Sequence, residues 1–354
     1  MAIPPQRDVE QTRVALAGWL ATTLSADGDV ALGELRGPGA TGFSNETLIV
    51  DASWTAGGTP QQASYVVRVA PTGYSLFPDA AFDTQYRVLR ALQATSIPVP
   101  NVRWYETDAS VLGAPFFVMD EVQGRVPPDN PPYHMAGWLF DVSPAHRATL
   151  WWGAIDAMAD LHRLDPAECG LDFLTGGLGE GLAYYESFLE MVEKDEPVPM
   201  ARRALDWLRS NLPGEEQVVL TWGDARIGNV MYDDDGEVLA VLDWEMVGLG
   251  APAQDVAWAL FLDRHHSEGC DVPRLAGFPT TAETVAHYEA RSGIALRDME
   301  FYEVYSAFRF CVIMGRLAVI FKDWDLLPPD DAMAQDNTVT RLTERVLAER
   351  NAAR

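Results

Sequence analysis

From Pro132 onward the sequence stops alternating and turns helical. Segments with helical spacing at residues 144–164, 181–192, 200–211, 281–292 and 299–322 are interrupted by one β-like region, running from QVVLTWGD through VLAVLDWE. Before Pro132 the balance is reversed, with strands and a single long helix after the first one. A run of strands followed by a run of helices excludes an alternating βαβ chain and predicts an α+β fold. Its 354 residues suit two lobes around a cleft, a small β-rich N-lobe and a larger, mainly helical C-lobe.

The predicted N-lobe covers residues 1–118. Val9, Arg13, Leu16 and Leu20 follow helical spacing, and Asp8 and Glu10 spoil the positive start of a secretory leader, so an amphipathic helix is expected. No stretch reaches the length of a membrane span, and the expected location is cytoplasmic. A Gly-rich turn and strand (33–54), a turn GGTPQQ (57–62) and a strand SYVVRVA (64–70) form a hairpin. In DAAFDTQYRVLRALQAT (79–95), Phe82, Gln85, Tyr86, Leu89 and Leu92 make one helical stripe, while Asp83 falls with Arg87 and Arg90 on the wetter face. Strands at 96–106 and 115–128 follow, the second running into a Gly/Pro-rich link over 119–128. The C-lobe is assigned to 129–354.

The chemistry concentrates in the β-like region. NVMY, the turn DDDG and EVLAVLDWE read as a hairpin that folds Asn229 back toward Asp243. Asp224 stands in the loop just before it. A hard divalent cation such as Mg²⁺ takes a few carboxylate or amide oxygens and completes its shell with phosphate and water, a role that suits Asn229 and Asp243. A carboxylate beside such an ion but not on it can accept the proton of an attacking hydroxyl, which suits Asp224. Arg226 can place positive charge near a transferring phosphate. Glu245, two residues past Asp243 on a common strand face, is a further candidate for the metal or its water.

Charge and cysteine usage remove other classes. With 52 acidic against 26 basic residues the net charge is -26, which repels nucleic acid and anionic membranes and attracts cations. That balance fits either a solvated acidic surface or a cationic substrate. Cys169, Cys270 and Cys311 lie far apart and build no zinc site; the doublet His265-His266 is expected at the surface. Neither a Gly-x-Ser-x-Gly elbow nor a Walker-type loop occurs.

WGDARIGN followed by VLDWE resembles the catalytic and metal loops of the aminoglycoside phosphotransferase and choline kinase-like family, which are relatives of the protein kinases, and the resemblance covers nearly the whole chain. More narrowly the chain resembles actinobacterial proteins grouped with the aminoglycoside kinases, and more distantly the kinase domain fused to some acyl-CoA dehydrogenases. The resemblance implies a protein-kinase-like fold with a nucleotide-binding N-lobe and a hinge at 119–128. It implies Asp224 as catalytic base and Asn229 and Asp243 as magnesium ligands. It also implies a nucleotide-covering loop at GPGATGFSNE, including Thr41, Gly42, Phe43 and Ser44. Met119, Glu121 and Val122 would face an adenine edge. His162 would support the catalytic loop and Asp255 anchor it from below.

Three residues depart from the family pattern. Trp222 replaces a histidine before Gly-Asp, and its indole N–H needs a partner. Arg68 stands where relatives place a phosphate-binding lysine, and Gln85 where that lysine's glutamate would be. The implied activity is Mg-dependent transfer of the γ-phosphoryl group of ATP or GTP to a hydroxyl of a small molecule, cationic like an aminoglycoside or another metabolite. Residues 183–197 and 259–271 are the expected acceptor side. The alternative is a weak or inactive nucleotide-binding regulatory protein of the same fold.

Overall fold

In a computed structural model, residues 7–37, 46–78, 82–214 and 217–352 are described. The chain divides into two compact units, Met1–Arg90 with Pro100–Gln123, and Ala91–Val99 with Gly124–Arg354. The change at Gln123 falls inside the Gly/Pro-rich stretch 119–128.

The first unit opens with α1 (Val9–Thr23), whose N-terminus is capped by the Asp8 carboxylate accepting from the Gln11 amide at 2.8 Å. It continues with β1 (Ala31–Leu32), β2 (Glu46–Ala56), β3 (Thr59–Val69), α2 (Phe82–Leu92), β4 (Val102–Glu106), α3 (Ala109–Leu112) and β5 (Phe116–Asp120). The strands form one antiparallel sheet in the order β1-β2-β3-β5-β4. Because side chains alternate along a strand, Val50, Ala52, Val67, Val69, Phe116 and Val118 share the face that closes over Leu16 and Leu20 of α1. Each leucine buried this fully contributes about 2 kcal/mol. Arg68, paired with Phe117, faces the other way, where the Phe117 ring packs on Phe82 of α2 at 5.1 Å.

Two details differ from expectation. The buried stripe of α1 is Thr12, Leu16 and Leu20, while Val9, the first residue of the helix, is exposed. The hairpin turn is only Gly57-Gly58, with φ of 58° and 72°; Pro60, Gln61 and Gln62 already pair with Thr55, Trp54 and Ser53. Two successive residues at positive φ match the twist of the flanking strands and need no longer loop.

The second unit contains α4 (Trp138–Asp141), α5 (Pro144–Leu161), α6 (Leu178–Val192), α7 (Pro199–Arg209), β6 (Val219–Thr221), β7 (Val230–Tyr232), β8 (Val238–Val241), β9 (Gly248–Gly250), α8 (Pro252–His266), α9 (Thr281–Ser292), α10 (Met299–Asp323) and α11 (Thr338–Ala352). The single β-like region of the sequence resolves into two nested antiparallel pairs, β6 with β9 and, between them in the chain, β7 with β8. The loops 222–229 and 242–247 therefore leave the two pairs together. Contrary to the sequence reading, α10 is long and apolar enough to cross a membrane, but it is the central core helix here, packed against α6, α7, α8 and α11. A helix enclosed by other helices carries apolar residues on every side for the same reason a membrane helix does.

The histidine doublet is also not at the surface. His266 is buried beside Tyr133, with ring centroids 4.9 Å apart, and His265 bonds Thr338 Oγ1 at 2.9 Å and packs on Phe310. They end α8, which is covered on more than one side, so neighbouring positions both meet protein.

Candidate active site

The loop after β6 is held from beneath by Asp255. This residue lies in the first turn of α8, opened by Pro252, where the helix dipole favours negative charge. It is fully buried, and its carboxylate accepts the Trp222 amide at 2.6 Å and the Gly223 amide at 3.0 Å. His162, at the C-terminal cap of α5, donates from Nε2 to the same carboxylate at 3.1 Å, and its Nδ1 meets the Tyr288 hydroxyl at 2.6 Å. Gly223 has φ 90°, and a Cβ there would lie 1.9 Å from the Met246 carbonyl oxygen. Only glycine lets the two loops approach this closely. The Trp222 indole finds the partner it needs in the Leu242 carbonyl, 2.8 Å away, so the tryptophan ties one loop to the other.

Asp224 is 9% exposed, and three donors surround its carboxylate. The Trp258 indole gives Oδ1 a bond of 2.7 Å, while Oδ2 receives Asn229 Nδ2 at 2.6 Å and Arg226 Nε at 3.1 Å. Asn229 Nδ2 also reaches the Asp224 carbonyl at 3.1 Å. With its amino group turned to Asp224, the Asn229 amide presents its oxygen away from that carboxylate. Pairing of Val230 with Val241 continues through the Leu242 amide to the Asn229 carbonyl, 2.8 Å, which sets Asp243 next to Asn229's partner.

The strand ends at Val241, before Asp243. Asp243 takes a left-handed backbone, φ 59°, and the Trp244 indole folds back onto the Val241 carbonyl at 3.0 Å. The argument that Glu245 shares a strand face with Asp243 therefore does not hold, because alternation stops where the turn begins. Glu245 and Asp224 nonetheless both act on Tyr185 of α6, whose hydroxyl pKa is pushed up first by burial, against Arg309, and further by these two charges. An amide oxygen and a carboxylate form a hard donor pair that fits Mg²⁺ sharing its remaining positions with phosphate and water. Among the described residues no cluster of three or more His, Cys, Asp or Glu forms a closed cage for an ion.

Arg226 is more occupied than its sequence position suggested. Its Nη1 lies 2.6 Å from both oxygens of Asp129, in addition to the Asp224 contact. Burial works against the guanidinium's charge, but Asp129 and Asp224 outweigh it and raise its pKa. Asp129 stays below the usual carboxylate range, because Arg226 and then His266 outweigh burial. Burial, reinforced by His266, pushes His265 down to about 3, and burial pushes His266 down to about 4 despite Asp129.

These two histidines give a pH prediction. Folded, they stay neutral well below the ordinary value of 6.5, whereas the unfolded chain takes up protons there. The unfolded state then binds more protons, so stability should fall as pH drops from 6.5 toward 4, by up to about 1.4 kcal/mol per pH unit for each histidine. Urea midpoints measured across this window should show the slope, and His266→Gln should flatten it. An unchanged slope in that variant would contradict the assignment.

In the first unit, Thr41, Gly42, Phe43 and Ser44 lie outside the described residues. Arg68 sits on β3 facing the α2 side, and Gln85 is on the buried stripe of α2, one turn beyond Phe82. Met119 belongs to β5, paired on both sides with Val66 and Val102. The Asp120 and Glu121 amides are taken by the Asn101 and Ser64 carbonyls.

Sequence reasoning missed Trp258, Asp129 and Arg309. Trp258 was within reach, since it follows Asp255 by three residues and so shares its helix face. Arg309, a fully enclosed arginine inside the apolar run of α10, carries the signal of a buried charge with a task. Asp129, 97 residues before Arg226, carries no local signal.

This arrangement has relatives. Over 264 residues the chain is 31% identical to rat acyl-CoA dehydrogenase family member 11, a match covering 71% of this chain and 33% of that protein. It spans about a third of the length of such relatives. A crystal structure from Ralstonia eutropha JMP134, of a protein named after the aminoglycoside phosphotransferases, is 26% identical with a TM-score of 0.67, covering 94% of this chain and 98% of that one. A ternary complex of aminoglycoside phosphotransferase APH(4)-Ia with ADP and hygromycin B shares the fold, with a TM-score of 0.54, 17% identity and coverage of 94% and 98%. The kinase-like α+β fold expected from the sequence is the one these neighbours share. Residues 39–295 match the model of the phosphotransferase enzyme family, and the chain belongs to that family.

Proposed function

We propose that this chain transfers the γ-phosphoryl group of ATP to a hydroxyl of a small molecule. The observation that supports the reading is the joining of the loops 222–229 and 242–247: Asn229 bonds Asp224, and the Asn229 carbonyl accepts from Leu242, the residue before Asp243. In this reading Asp224 orients the acceptor hydroxyl and takes its proton as the new O–P bond forms and the bond to ADP breaks. Trp258 and Asn229 keep its two oxygens turned in fixed directions. Magnesium, when held by the Asn229 amide oxygen and Asp243, supplies positive charge to the phosphates. The ADP and hygromycin B carried by a structural neighbour support a nucleotide donor and a small hydroxylated acceptor. The acidic balance of the chain favours a cationic acceptor over an anionic one.

One observation favours a second reading, a nucleotide-binding protein with weak transfer: Arg226 is held between two carboxylates, which leaves less of its charge for phosphate. Binding and transfer separate the two. Mg·ATP should raise the melting temperature of wild type, and Asp243→Ala should abolish that rise. Mass spectrometry of a panel of hydroxylated compounds should then find a phosphate mass gain in one class. Absence of both heat and stabilisation with Mg·ATP or Mg·GTP would sink both readings.

A further inference from the structure

Arg309 of α10 is 2% exposed, and among the described residues it makes no ion pair. Its guanidinium lies over the rings of Trp258 at 4.5 Å, Tyr185 at 5.2 Å and Tyr305 at 5.6 Å. One nitrogen, Nη2, donates to the Gly223 carbonyl at 3.0 Å, and against burial Tyr185, Tyr305 and the Asp255 charge favour the charged guanidinium. Burying a cation without a carboxylate is costly, and stacking on aromatic faces offsets only part of that cost. A core between α8 and α10 could be closed by an apolar side chain at lower cost. What the charge touches is therefore informative: the carbonyl immediately before Asp224, and the ring whose N–H holds Asp224 Oδ1.

We infer that Arg309 and Trp258 are positioning residues that fix the catalytic carboxylate of Asp224, Arg309 from the backbone and Trp258 from the side chain. The inference rests on the phosphotransferase reading. Asp255 takes the Gly223 amide and Arg309 its carbonyl, so the peptide units leading into Asp224 are held at both polar ends. The cation also presses on the face of the indole, which sets the direction of the Trp258 N–H. Asp224 Oδ1 cannot then turn away, and the lone pairs left for an acceptor hydroxyl keep one orientation. Neither residue is placed to touch the reacting atoms.

The test uses the full chain and Mg·ATP with water as acceptor, since hydrolysis reports γ-phosphoryl transfer without knowledge of the natural acceptor. Trp258→Phe deletes the N–H while keeping a smaller aromatic face under the guanidinium; Arg309→Lys keeps the charge and loses the planar fork. Both should lower the single-turnover rate about 10-fold to 100-fold, the scale of a small misplacement of a catalytic group. The KM for Mg·ATP should stay within about twofold, because uniform binding is untouched. In protein labelled with ¹⁵N-tryptophan, the indole resonance missing in Trp258→Phe should move in both Arg309→Lys and Asp224→Ala. If Arg309→Lys does not fold, Trp258→Phe decides alone. Wild-type rates in Trp258→Phe beside a silent Asp224→Ala would overturn the positioning role and leave the phosphotransferase reading standing. Equal rates in wild type and Asp224→Ala would overturn both.

Discussion

Asp224→Ala should slow single-turnover transfer of the γ-phosphoryl group by about 10²-fold to 10⁴-fold, the usual contribution of a positioned general base, with Mg·ATP affinity within about twofold of wild type. The reason for the split lies in what Asp224 touches. Its partners are Trp258, Asn229 and Arg226, all donors from the protein, and the ligand set proposed for the metal is Asn229 and Asp243. The same geometry makes a second, less common prediction about Asp224→Asn. An amide in that place would turn an N–H₂ toward at least one of three donors, and a buried donor facing a donor costs about 1–3 kcal/mol. Asp224→Asn should thus melt below wild type but above Asp224→Ala, which leaves all three donors without an acceptor. Quench-flow with labelled ATP and thermal melts of the pair check both statements. A full-speed Asp224→Ala removes the base role outright.

Asp255→Ala should be the most destabilising single change at the site, costing about 3–5 kcal/mol, because it leaves two buried amides and His162 facing an empty space. Its effect on function should exceed its effect on the fold. With the Trp222 and Gly223 amides released, the loop carrying Asp224 loses its anchor, so the protein that remains folded should bind Mg·ATP but transfer poorly. Urea unfolding followed by tryptophan fluorescence gives the first number, and transfer assayed at a temperature where the variant is folded gives the second. A loss under about 1 kcal/mol would mean that the loop is held by other contacts.

The parts of the fold that were legible in the sequence are those whose causes are local. The hairpin from Asn229 to Asp243 could be read because an acidic Gly turn between two apolar runs forces the chain back on itself. Helices α5, α6, α7, α9 and α10, and the wet face of α2 with Asp83 and Arg87 at 3.8 Å, followed from periodicity, whereas α8 and α11 were not among the segments read as helical. Trp222's need for a hydrogen-bond partner followed from its one donor, and the Leu242 carbonyl meets it. The misreadings were of two kinds. Glu245 and the GGTPQQ turn were misplaced because the residue at which a strand stops depends on backbone conformations, positive φ at Asp243 and at Gly57-Gly58, that single residue types permit without requiring. The histidine doublet, the apolar α10 and the Arg226–Asp129 pair were misjudged or missed because they depend on partners far along the chain, which no window of sequence contains.

The dependence of the catalytic loop on α10 bears on how members of this family can be recombined. The family match ends at residue 295, whereas Arg309, which bonds the Gly223 carbonyl and backs Trp258, lies fourteen positions later (309 − 295 = 14). A chimera spliced at the end of the family match would join one parent's α8 to another parent's α10, and the tryptophan and arginine would come from sequences never selected together. Crossovers that carry α8 and α10 as one cassette should yield working hybrids, while a junction near residue 295 should yield proteins that fold with a misaligned base.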